Sequence, residues 1–324
     1  MSNKKLISII LTVIIGCSLI IILPIQIILI HLSVYDTINE SYSFVYQPSS
    51  PSSIENLYLN IDEGNIEIRY IDPSVDYYVL IEADIELIGK NLAGNSYEDY
   101  LNISWYNSSS PANFRLEIIS DNWFNPSLWL IKDVSIIVTL RKDIVFNIIT
   151  NLIEGNYEIT VPWPVSIGNL LTNVSKGNIL YDFELCSIQG NITGITNKGD
   201  FELKSYNVEY TQNCNWLFTS TGGDMNIAIY QEEEMGANIT GTAMIIDGTL
   251  NLFYKDNSAN IGANFFFPLL SGNPGGILEG FYTIFQSEKT WFISFDFPTI
   301  NNYNLSFYIT NPCTRCRNIA LHSD

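Results

Sequence analysis

Between residues 154 and 252 the chain repeats one short phrase five times: a glycine, usually Asn or Asp, then apolar residues two and four places after the glycine. The copies are EGNYEITV, KGNILYDFE, KGDFEL, GGDMNIAI and DGTLNLF, led by Gly155, Gly177, Gly199, Gly223 and Gly248. The steps between these glycines are 22, 22, 24 and 25 residues. Two places on stand Tyr157, Ile179, Phe201, Met225 and Leu250; four places on stand Ile159, Tyr181, Leu203, Ile227 and Leu252. The places between them hold Glu158, Leu180, Glu202, Asn226 and Asn251. Alternation of this kind turns one face of a strand inward. Glycine takes the corner ahead of it at φ > 0 without steric cost. A constant period in the twenties means that each copy is one unit stacked on the next.

The fold class that follows is all-β: a right-handed parallel β-solenoid, since parallel crossovers are overwhelmingly right-handed. A β-sandwich is the competing reading, but its turns recur about every 8–12 residues and do not hold glycine in phase with one inward face. A weaker series, Gly168, Gly190, Asn213, Gly236 and Gly262, has similar spacing and marks a second corner. Gly64, in DEGNIEIRYI, fits the motif at a distance. The stretch near 91–113 reads as a polar insertion between it and Gly155. The solenoid is expected over 54–262. Residues 263–324 lose the repeat, turn aromatic, and read as a C-terminal cap and tail, because an open ladder needs an atypical end.

The N-terminus is of another kind. After Lys4 and Lys5, Leu6 to Ile30 carries no charge. At about 1.5 Å per helical residue this exceeds the ~30 Å of a bilayer core. A cleaved signal peptide has a shorter apolar region, and a lipoprotein signal ending at Cys17 leaves a greasy mature terminus unexplained. The reading is a single transmembrane anchor at 6–32, with a cytoplasmic tail at 1–5 and a linker at 33–53. The two lysines keep that tail inside, so the localisation expected is a single-pass protein of the cell membrane with the bulk of the chain extracellular. The membrane through 6–32 is its first partner.

The chain has 15 basic and 34 acidic residues, for a net charge of −19. Such a surface disfavours nucleic acid and anionic lipid. Asn39, Asn102, Asn107, Asn173, Asn191, Asn238 and Asn304 open N-x-S/T triplets without proline and are candidate glycosylation sites. Cys186, Cys214, Cys313 and Cys316 are an even set that permits two disulfides, with three connectivities open. CTRC lacks further ligands for zinc apart from His322.

From Val134 to Ser205 the run VSIIVTLRKDIVFNIITNLIEGNYEITVPWPVSIGNLLTNVSKGNILYDFELCSIQGNITGITNKGDFELKS resembles the putative-adhesin family. The resemblance covers about Ile54 to Tyr254. It implies a β-helix and a cell-surface setting, and brings no catalytic residues.

Catalytic chemistry is sparse. The two histidines, His31 and His322, stand beside the apolar stretch and near the C-terminus, which disfavours Ser-His or Cys-His catalysis. No phosphate-binding or dinucleotide fingerprint occurs, and neither cofactor nor metal is expected. Carboxylates remain: Asp182 with Glu184, Asp200 with Glu202, and Glu232 to Glu234. The leading expectation is a non-catalytic, membrane-anchored surface scaffold or adhesin-like module whose partner is a cell-envelope glycan or another surface protein. The alternative is a solenoid enzyme that cleaves envelope polysaccharide through such carboxylates.

Overall fold

A computed structural model of the chain describes residues 36–47, 53–89, 101–106, 113–118, 129–231, 235–256, 261–268, 281–286, 290–295, 303–310 and 319–322. The first strands are β1 (Asp36–Tyr46), β2 (Ile54–Glu63), β3 (Asn65–Ile71) and β4 (Val79–Gly89). Then come β5 (Leu101–Tyr106), β6 (Asn113–Ile118), β7 (Trp129–Arg141) and β8 (Val145–Glu154). The repeat region holds β9 (Tyr157–Val161), β10 (Ser166–Lys176), β11 (Ile179–Glu184), β12 (Ser187–Ile188), β13 (Ile192–Thr196) and β14 (Phe201–Tyr206). It continues through β15 (Glu209–Tyr210), β16 (Cys214–Ser220), β17 (Met225–Gln231), β18 (Ile239–Ile245) and β19 (Leu250–Asp256). The last are β20 (Ile261–Pro268), β21 (Phe281–Gln286), β22 (Thr290–Phe295), β23 (Tyr303–Thr310) and β24 (Ile319–His322).

Two sheets take these strands. Sheet I has the order β1-β4-β7-β3-β9-β11-β14-β17-β19-β24, and sheet II runs β21-β22-β20-β23-β18-β16-β13-β10-β8-β2-β6-β5, with β12 pairing β10 and β15 pairing β12 off this path. From β8 to β19 the chain crosses between the sheets, and each sheet grows by parallel neighbours. The glycine-led copies start the sheet I strands of this tract: Tyr157 pairs with Ile179, Ile179 with Phe201, Phe201 with Met225 and Met225 with Leu250.

All ten residues two and four places after the repeat glycines are buried, none more than 2% exposed. Each contributes about 1.5–3 kcal/mol by leaving water. Aromatic rings link the rungs: Tyr157 meets Tyr181 edge-on at 6.1 Å, Tyr181 meets Phe201 at 5.5 Å, and Phe201 stacks on Phe218 at 4.7 Å. Such offset and edge contacts are the favoured aromatic geometries.

The expectation of a right-handed parallel β-solenoid carried on one N-terminal transmembrane helix is corrected. All-β holds, but both sheets are mixed. β4 runs antiparallel to β1 and β7, β5 to β6, and β22 to β20 and β21. The physical reason is connection: a repeat specifies which residues stack, whereas the length of each connection decides whether a neighbour runs parallel or turns back. Among the described residues no helix is long and apolar enough to cross a membrane, and the expected span at 6–32 lies outside them.

Candidate functional site on the outer sheet faces

The faces are built by two columns of backbone-locked residues. In the first, the N–H of Gly64 donates to the Glu154 carbonyl at 3.0 Å, that of Gly155 to Lys176 at 2.9 Å and that of Gly177 to Lys198 at 2.8 Å. Beside the glycines, Asn65 Oδ1 accepts the Asn156 N–H, Asn156 Oδ1 the Asn178 N–H, and Asn178 Oδ1 the Asp200 N–H, at 2.8 to 3.0 Å. Asp200 and Asp224 pass the pattern on to Asp224 and Thr249. Gly64, distant in sequence, sits directly next to Gly155: a Cβ on Gly155 would lie 1.9 Å from the Gly64 carbonyl oxygen.

The second column lies on sheet II. Asn147 Nδ2 donates to Asn56 Oδ1 at 2.9 Å. The backbone N–H groups of Asn169, Asn191 and Asn215 each donate at 2.9 Å to the carboxamide oxygen of the asparagine one rung earlier. Sequence reasoning missed this column, although its signal was present: each of Asn56, Asn147, Asn169, Asn191 and Asn215 stands eight residues before a repeat glycine. Of the weaker series, Gly190 packs on Gly168, whose carbonyl carbon a Cβ would meet at 2.8 Å, and Asn213 Oδ1 accepts the Asn238 N–H at 2.9 Å.

Three outward rows of sheet II carry no charge across seven strands. The Asn row continues through Thr240 and Ser306. Next to it runs a largely apolar row, Tyr58, Ile149, Leu171, Thr193, Leu217, Thr242 and Tyr308, in continuous register. A third row holds Asn60, Asn151, Asn173, Ile195, Thr219, Met244 and Thr310. Leu171, Leu217 and Tyr308 are 38%, 39% and 45% exposed. Charge borders these rows: on β6 Arg115 stands opposite Tyr58 and Glu117 opposite Asn60, on β2 Asp62 follows Asn60, and at the ends of β8 and β10 Lys176 pairs with Glu154 at 3.1 Å.

Sheet I presents the opposite surface. Glu67, Arg69, Glu158, Asp182, Glu202 and Lys204 occupy its outward positions. Arg69 pairs with Glu67, and Lys204 with Glu202 at 2.9 Å. Hydrogen bonding to those carboxylates raises both cations above their ordinary values. Trp163, 69% exposed, stands on the turn between β9 and β10. That turn has four residues between Val161 and Ser166, where the next rung has three between Phe183 and Ser187.

The carboxylates expected for an enzyme are spread over different duties. Asp200 Oδ1 accepts the Asp224 N–H, Glu202 is bound to Lys204, and Asp182 stands opposite Lys204 in register, with Glu184 at the end of β11. Glu232 to Glu234 lie outside the described residues. Among the described residues no cluster of three or more His, Cys, Asp or Glu could hold a metal.

Among the sequons, Asn39, Asn191 and Asn238 are exposed and Asn173 is half-buried. Asn102 lies on β5 and Asn304 on β23; their side chains and all of Asn107 lie outside the described residues. Cys186 and Cys214 are buried free thiols, and burial pushes both up to about 12. Cys313 and Cys316 lie outside the described residues.

No protein-family profile and no curated protein matches the chain. Solved structures do show likeness. A putative cell adhesion protein from Clostridium sporogenes is 11% identical with a TM-score of 0.34, over 89% of this chain and 100% of that one. A putative lipid binding protein from Parabacteroides distasonis is 11% identical with a TM-score of 0.38, over 88% and 96%. A putative adhesin from Parabacteroides merdae is 12% identical with a TM-score of 0.33, over 88% and 96%. Identities and scores this low do not assign the chain to a family.

Proposed function

We propose that the chain is a cell-surface binding or scaffold module that acts without catalysis. The observation that carries this reading is the division of its two faces. Sheet II offers three uncharged rows of seven residues, in a protein of net charge −19 whose sheet I face presents Glu67, Arg69, Glu158, Asp182, Glu202 and Lys204. An extended uncharged face with exposed Leu171, Leu217 and Tyr308 is the kind of surface that marks interaction. The Asn ladder along its first row and the parallel pairing of its strands fix the backbone under the face, so little backbone ordering is needed on binding.

The test is retention of the purified full chain on cell envelopes of the producing organism, with reducing ends measured in the same tubes. Retention without release of reducing ends is expected. Absence of retention sinks the binding reading, and release of reducing ends makes the chain an enzyme. Protease treatment of intact cells checks the setting: the chain should be cut while cytoplasmic proteins stay whole.

A further inference from the structure

We infer that the apolar row of sheet II is the binding site for a neutral, extended polysaccharide lying across the strands. This rests on the binding reading above and names its face and ligand class. The row is one residue wide, with the Asn column on one side and a mixed row of Asn, Thr, Ile and Met on the other. Neighbouring strands are about 4.8 Å apart, close to the length of one pyranose unit. A sugar chain laid along the row sets successive C–H faces over successive strands, against Leu171 and Leu217. Its edge hydroxyls meet the carboxamides. Those of Asn147 and Asn169 each donate one N–H to the preceding asparagine. An NH₂ carries two donors, so one per carboxamide remains for a ligand.

Charge selects against other occupants. No cation stands in the three rows to hold an anionic glycan, a nucleic acid or a phosphate headgroup, and no carboxylate stands there to hold a basic partner. A second copy of the chain fits less well. Seven strands span about 34 Å and three rows roughly 15 Å, on the order of 500 Å², short of the ~800 Å² per partner of a standard interface. A narrow linear ligand uses this area fully.

The experiment is depletion of the full chain from solution by insoluble cellulose, chitin and β-mannan, with polygalacturonate as the anionic control. At least one neutral polymer should retain it, equally well at about 50 mM and about 500 mM NaCl, because no ion pair is screened. Leu171→Asp or Leu217→Asp should weaken retention about tenfold or more, while Leu180→Asp on the outward face of sheet I leaves it unchanged. Circular dichroism checks the fold of each variant, and Tyr308→Ala replaces any aspartate variant that fails to fold. Retention by polygalacturonate alone, or row variants that bind like the parent, overturns the proposal. If envelopes retain the chain but no neutral polymer does, the proposal falls and the broader reading stands. If a row variant instead converts a dimer to a monomer by sedimentation and no polymer binds, the face belongs to a second copy.

Discussion

Gly177 stacks directly on Gly155, so closely that a Cβ on Gly177 would lie 1.8 Å from the Gly155 carbonyl oxygen. Both glycines sit at φ 139°, a backbone that other residues rarely adopt. The contact is backbone against backbone and cannot be relieved by a rotamer change. Gly177→Ala should therefore lose more than about 3 kcal/mol, combining backbone strain with overpacking. Gly222→Ala is the control. Its nearest neighbour to a new Cβ is the Asn197 carbonyl oxygen at 3.4 Å, and its loss should stay within about 1 kcal/mol. Urea midpoints of the two variants decide it, and equal midpoints would refute the stacking account.

Asn178 joins two rungs: its N–H donates to Asn156 Oδ1 at 3.0 Å, and its own Oδ1 accepts the Asp200 N–H at 2.8 Å. Asn178→Ala keeps the first bond and removes the second, at a corner open to water. The cost should be about 0.5–1.5 kcal/mol, well below that of Gly177→Ala. Hydrogen exchange gives a sharper readout, since the Asp200 amide should lose protection while the Phe201 amide, bonded to the Asp224 carbonyl at 2.9 Å, keeps it.

The core predicts alkaline sensitivity. Burial raises the thiols of Cys186 and Cys214 from an ordinary 9.0 to about 12, and raises the phenols of Tyr157, Tyr181 and Tyr210 above their ordinary value. A folded state that holds its protons more tightly than the unfolded one is fully favoured below the ordinary value. It loses that advantage as pH rises through the window above it. The urea midpoint should be nearly level from about pH 7 to pH 8.5 and fall steadily above about pH 9. In the level range, at pH 8, iodoacetamide should label Cys186 and Cys214 only after denaturation, because burial keeps both thiols covered and protonated. A midpoint that holds to pH 11, or labelling of the native thiols, contradicts this.

The repeat made the inward residues of sheet I legible because glycine and alternation are local signals: Tyr157 through Leu252 all went where their parity put them. The same signals marked Gly64 as a distant copy but did not make it the neighbour of Gly155. Gly64 lies 91 residues earlier, and nothing local to either glycine reports the contact. Nor could alternation reveal that Val79 pairs antiparallel with Leu140, since strand direction depends on the path of the connection and not on the face a residue takes. The uncharged face stayed hidden for a related reason. Its rows are assembled from strands about 22 residues apart, and Leu171 and Leu217 read singly as ordinary exposed aliphatics.

Gly194 supplies the last test, and one in which a second mutation should repair the first. It lies inside β13, inward-facing, and a Cβ there would meet Phe201 Cε2 at 2.4 Å and Phe201 Cζ at 3.2 Å. Phe201 cannot retreat freely, because its ring stacks on Phe218 at 4.7 Å and stands edge-on to Tyr181 at 5.5 Å. Gly194→Ala should cost about 1–3 kcal/mol by overpacking. Phe201→Leu alone leaves a void and costs a similar amount. Together, the methyl added at position 194 enters space that the shorter side chain at position 201 vacates. The double variant should therefore be more stable than the summed losses predict, by about 1 kcal/mol or more. Urea unfolding of the four proteins closes the cycle. Additive losses would mean that the Gly194 surroundings yield in some other way, and that the aromatic column linking the rungs is softer than its ring contacts imply.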